Sequence, residues 1–119
     1  MQTKKEFAVI TLLLLVGIVH ATTWYVHPDS VLNSIQNGLD SCFAGDTVLV
    51  APGIYLENVT WPAVQGIKLF SEFGTNTIID GGNDTNVIYI NVAVDSMTVI
   101  HGFTIQKWNS RYLLRWHLP

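Results

Sequence analysis

Beyond residue 21 the chain is written in short apolar bursts, each closed by Gly, Pro, Asn or Asp. The clearest is Gly45-Asp46-Thr47-Val48-Leu49-Val50-Ala51-Pro52-Gly53-Ile54-Tyr55. A Gly-Asp turn leads into a β-branched run there, and Pro-Gly ends it, which is the pattern of a short buried strand between two turns. Thr22 to His27 predicts a strand upstream of it. Downstream, runs at Thr47–Val50, Ile67–Phe70 and Val87–Ile90 start twenty residues apart, and runs at Glu57–Thr60, Thr77–Asp80 and Met97–Ile100 fall midway between them. Helical spacing occurs once. Leu32, Ile35, Leu39 and Cys42 share one side, with Asn33, Gln36, Asn37 and Asp40 on the other. A short amphipathic helix is therefore predicted within 31–41, with Pro28-Asp29-Ser30 supplying candidate N-caps and Gly38 as a weak point.

Many short strands at such regular spacing fit an antiparallel sandwich or barrel, or a parallel solenoid. Tight hairpin signals are nearly absent: Asp80-Gly81 leads into a long polar turn and not into a strand. The pattern therefore favours an all-β parallel solenoid with apolar residues stacked inward, preceded by a short helix.

The first 21 residues change the picture of the compartment. Lys4 and Lys5 precede the apolar run Phe7–Val19, and Val19-His20-Ala21 is a small-residue cleavage site. That is the layout of a secretory signal peptide cut after Ala21, and the run is short for a bilayer span. The expectation is a secreted or cell-envelope protein with no stable membrane span after cleavage, a body over 22–106, and an atypical segment over 107–119. Cys42 is the single cysteine, so secretion brings no internal disulfide here, and a small buried hydrophobe is its plain role. From Thr22 to Gln106 eight acids face one base, Lys68, a net of −7. An acidic body argues against nucleic acid as a partner. From Lys107 onward the sign reverses with Lys107, Arg111 and Arg115, and Gly disappears. The segment 107–119 is therefore expected not to be a coil, and the chain to be a truncated or frame-disrupted piece that lacks C-terminal coils.

The run Ile35-Gln36, Ala44 to Val59, then Ile67–Gly74, Thr77–Gly81 and Ile100–Ile105, resembles the start of right-handed parallel β-helix proteins of the pectin-lyase-like superfamily. The resemblance covers about Trp24 to Gln106. It implies that the helix carrying Ile35 and Leu39 caps the solenoid, that Val48, Val50, Ile67 and Leu69 point inward with Leu49 and Lys68 outward, and that Gly53 and Gly81 sit at turns. The fold hosts lyases, hydrolases and adhesins alike, so it does not by itself name an activity.

Candidate chemistry is thin. A polysaccharide lyase of this fold needs a Lys or Arg base, and the body offers only Lys68, whose plain role is a solvated strand residue. An inverting hydrolase needs grouped carboxylates. Asp80 and Asp84 are the only acids close in sequence, and Asp80 suits local hydrogen bonding in its turn. Asp80, Asn83 and Asp84 could together offer oxygen ligands to calcium, though without a dedicated loop spacing. His27, His101 and His117 lack paired metal spacing. Asn58-Val59-Thr60 and Asn83-Asp84-Thr85 match the glycosylation sequon. Trp24, Trp61 and Tyr55, if exposed, could stack on sugars, and packing under the cap is their alternative role. No residue is thus assigned a catalytic, cofactor-binding or metal-ligating part. The sequence leads to the expectation of an N-terminal piece of a secreted parallel β-helix protein, non-catalytic in this part, that binds extracellular polysaccharide or serves as a surface protein. The alternative is a piece of a polysaccharide lyase or glycoside hydrolase whose active site lies on missing coils.

Overall fold

The computed structural model describes residues 20–107. Residues 1–19 of the expected signal peptide (1–21) and residues 108–119 of the segment expected to be atypical (107–119) lie outside the described residues. Within them the chain is a parallel β-solenoid of about three turns. Nine strands occur: β1 (Thr23–Val26), β2 (Thr47–Val50), β3 (Gly53–Leu56), β4 (Val59–Thr60), β5 (Lys68–Ser71), β6 (Thr77–Asp80), β7 (Ile88–Tyr89), β8 (Val99–His101) and β9 (Thr104–Gln106). One short helix, α1 (Ile35–Asp40), precedes β2. The strands stack into a first sheet β1-β2-β5-β8, a second β3-β6-β9 and a third β4-β7, with every pairing parallel.

The rungs explain the core. In the first sheet Trp24, Val48, Leu69 and Ile100 lie in register, as do Val26 and Val50. Val26, Val48, Val50, Ile67 and Leu69 have no exposed surface. Leu49 and Lys68 are half-buried on the outer side. The inward and outward assignments thus hold. In the second sheet Tyr55, Ile79 and Ile105 share a rung. Tyr55 and Ile79 are buried, while Ile105, on the last described rung, is 41% exposed.

Four sequence expectations need correction. The strand series does not follow a twenty-residue rhythm through one sheet: Thr47 pairs with Lys68 and then Val99, whereas Ile88 pairs with Val59 in the third sheet. The corners differ in length, and the segment between Tyr89 and Val99 lengthens the second turn. The strand expected at Glu57–Thr60 is two elements separated by a corner: β3 ends at Leu56 and only Val59 and Thr60 continue as β4. Gly53 accordingly opens a strand instead of lying in a turn. The helix is shorter than expected, and its N-cap is Ser34, whose hydroxyl accepts from the Asn37 N–H at 3.1 Å. Pro28-Asp29-Ser30 forms a separate turn upstream, in which the Ser30 N–H donates to the His27 carbonyl.

Gly38 is also more than a weak point. A Cβ there would meet Val26 Cγ2 at 2.7 Å and Val48 Cγ1 at 2.9 Å. The helix can lie directly on the first two rungs only because this position has no side chain. Ile35 and Leu39, on the same side, are fully buried against them.

Candidate functional site

The corner between β3 and β4 builds the most distinctive surface. Glu57 turns back toward the cap, and its two carboxylate oxygens accept from the Ile35 and Gln36 N–H groups at 2.8 and 3.0 Å. Asn58 points the other way along the stack. Its Nδ2 donates to the Gly81 carbonyl at 3.2 Å and the Asn86 carbonyl at 3.0 Å, so both amide hydrogens tie this corner to the next coil. Gly81 sits so close that a Cβ would lie 3.4 Å from that nitrogen and 2.8 Å from Val87 Cγ2. It therefore lies in the corner after β6, as the sequence suggested.

Strand alternation then decides what faces out. Val59 is fully buried and Thr60 is exposed, and Thr60 is in register with Tyr89. Tyr89 keeps 45% of its surface exposed. Together with Asn58, Val59, Thr85 and Asn86 these residues line an open groove of about 250 Å³ over the third sheet. Thr85 Oγ1 donates to the Asn86 carbonyl at 3.3 Å. Among the described residues the Thr60 hydroxyl, the Asn86 amide and the Tyr89 phenol have no partner, and so they can meet a ligand. The groove therefore offers one aromatic face, two amides, two hydroxyls and a phenol, and no charged group.

The other candidates fall elsewhere. Asp80 is 3% exposed, and its oxygens are occupied. Gln106 Nε2 donates to Oδ2 at 2.8 Å, the Gly82 N–H donates to Oδ1 at 2.9 Å, and Lys107 Nζ lies 3.4 Å from Oδ2. The Gln106 amide, the Gly82 N–H and the Lys107 ammonium hold its carboxyl below the usual range against the opposing effect of burial. Its local turn bond is thus one part of a larger set that joins the second coil to the third. Among the described residues no three His, Cys, Asp or Glu side chains converge as a metal-ligating group. His101 is exposed, in edge contact with Phe70 at 6.3 Å between ring centroids. His27 Nδ1 accepts from the Asp29 N–H. Lys68 Nζ donates to the Gly66 carbonyl at 3.5 Å.

The aromatic residues named from the sequence are mostly structural. Trp61 is 2% exposed and Tyr55 4%, with the Tyr55 hydroxyl donating to the Ala51 carbonyl. Neither is free to stack on a sugar. Trp24 is half-buried, and its indole N–H donates to Asp46 Oδ2 at 3.0 Å. Asp46 also accepts from the Thr22 and Phe43 N–H groups, both at 2.8 Å. Burial pushes the Asp46 carboxyl up, but these three donors outweigh it and hold it below the usual range. Cys42 is buried as expected, and burial together with the Asp46 charge pushes its thiol up to about 12.

No protein family, curated protein or solved structure matches the chain. The groove therefore stands on its own geometry. From the sequence Thr85 was named only as part of a glycosylation sequon, and neither Asn86 nor Tyr89 was given a binding role. Alternation from an inward Val87 would put Tyr89 inside as well; instead Ile88, in register with the buried Val59, packs on the core and Tyr89 faces out. What was missing was the pairing of Tyr89 with Thr60, which depends on a corner whose length the spacing did not reveal.

Proposed function

We propose that this chain is part of a secreted or cell-envelope β-solenoid protein of the pectin-lyase-like kind, and that it binds extracellular carbohydrate through the groove over its third sheet. The observation that carries the reading is the lining: an exposed Tyr89 ring beside the uncommitted Thr60 hydroxyl and Asn86 amide. An aromatic face takes the C–H side of a sugar ring, while amides and hydroxyls exchange hydrogen bonds with its hydroxyls. The scaffold supports the same role. Three of the six lining residues, Val59, Thr60 and Tyr89, sit on paired strands, and Asn58 is locked to the adjacent coil, so little ordering is needed on binding. Export is supported by the Lys4-Lys5 start, the apolar run to Val19 and the Ala21 junction.

Affinity electrophoresis of the full chain through gels containing plant and microbial polysaccharides tests the reading. Retardation by at least one polysaccharide is expected, with Tyr89→Ala migrating as in an empty gel. Free migration of the wild-type chain in every gel would remove the carbohydrate-binding reading.

A further inference from the structure

The fold resemblance invites a polyuronate as the ligand, and the charge of the chain around the groove argues the opposite. We infer that the groove takes a neutral glycan and rejects uronates; this rests on the carbohydrate-binding reading and specifies its ligand. A bound uronate needs a cation, or a cluster of charged donors, to replace the hydration its carboxylate loses. The six lining residues carry no positive charge. The two cations of the described residues are spoken for: Lys68 lies on the first sheet against the Gly66 carbonyl, and Lys107 faces Asp80.

The wider field acts in the same direction. Eight acids lie between Thr22 and Gln106 against Lys68 alone. Two of them, Glu57 and Asp84, adjoin groove residues Asn58 and Thr85 in the chain. Glu57 spends both oxygens on the α1 N–H groups, which fixes its carboxylate beside the groove corner. A polyanion approaching this surface is repelled, most strongly at low ionic strength, where the screening length reaches roughly 30 Å. A neutral sugar meets none of this. It needs only the Tyr89 face and partners for its hydroxyls, which Thr60, Asn86 and the Asn58 Oδ1 provide. The groove volume of about 250 Å³ lies just below the usual range for drug-sized ligands, and suits a single sugar unit of a longer chain.

The test is titration calorimetry of the full chain at low ionic strength, with a chelator present so that no divalent cation can bridge two carboxylates. The probes are cello-, xylo- and manno-oligosaccharides on one side and oligogalacturonate and oligoalginate on the other. At least one neutral series should bind, and both uronate series should bind at least tenfold more weakly or not at all. Tyr89→Ala should weaken the neutral ligand at least tenfold. Asn86→Lys, which places a cation in the groove, should raise uronate affinity. Uronates binding as tightly as any neutral probe would overturn this inference while leaving carbohydrate binding intact. Neutral binding that survives Tyr89→Ala would overturn the site. If neither class binds, the carbohydrate-binding reading falls and this inference falls with it.

Discussion

Thr77 and Val48 occupy the same kind of position, an inward strand residue with no exposed surface, and differ only in what they bring there. Val48 brings methyl groups that fill the space beneath α1. Thr77 brings a hydroxyl that finds no partner, so it carries the desolvation cost of an unmade hydrogen bond. Replacing Thr77 by Val keeps the shape and removes the orphan group. Thr77→Val is therefore expected to raise stability by about 1 kcal/mol, read as a higher urea midpoint at unchanged slope. A lowered midpoint would mean that the hydroxyl has a bonded partner. Val48 permits the opposite test. Val48→Asp puts an unpaired carboxylate into the core, at several kcal/mol. Leu49→Asp, one residue on and half-buried on the outer side, should cost far less. Equal melting temperatures for the two variants would show that the inward face has been misassigned.

Helix α1 has six residues, too few to hold together unaided. It persists because the first coil reaches up to it. Glu57 accepts two of the N–H groups that a helix start leaves without partners. Gln36 does the converse for the sheet. Its Oε1 accepts from the Thr60 N–H at 2.8 Å and its Nε2 donates to the Thr60 carbonyl at 2.9 Å. One side-chain amide thus stands in for the strand that the third sheet lacks above β4, and closes an edge that would otherwise be open. Gln36→Ala should cost about 1–3 kcal/mol, since it frees both a donor and an acceptor. Gln36→Glu should recover little of it, because a carboxylate cannot donate to the Thr60 carbonyl. A denaturant series on the three proteins decides this, and a fully stable Gln36→Glu would disprove the strand-substitute role. The sequence placed Gln36 on the polar side of a helix, where solvent was the natural partner. Its real partner lies 24 residues away, and only the stacking of α1 over β4 makes that visible.

At the scale of the whole molecule two buried carboxylates join successive layers. Asp46 ties the corner at Phe43 to β1 through Thr22 and Trp24, and Asp80 ties the second coil to the third through Gln106 and Lys107. Both are held below the usual carboxyl range in the folded chain. A folded-state pKa below the unfolded one means that the stabilisation is complete above the unfolded value, about 3.9, and is lost as pH falls through the folded value. Melting temperature should therefore stay level near neutrality and decline below about pH 4. Asp80→Asn should be less stable at neutral pH and show a shallower acid decline. An acid limb identical to that of the wild-type chain would show that Asp80 is not one of its causes.

The sequence by itself determined the solenoid, because the information is local and repeated. Each coil must bury alternate apolar residues and turn at Gly, Asn or Pro, and those demands recur in every run from Thr47 to Ile105. It likewise placed Val48, Val50, Ile67 and Leu69 inside, since a period of two leaves no other choice once one face is buried. The tertiary structure alone decided which run stacks on which. Corners of unequal length shift the strands between sheets, so Val99 and not Val87 continues the first sheet. It also decided that Gly38 is a contact, that Trp61 and Tyr55 are core, and that Thr60 and Tyr89 meet in one groove. Each of these depends on a neighbour roughly one coil away in sequence, and spacing along the chain does not encode the length of the corners that bring such neighbours together.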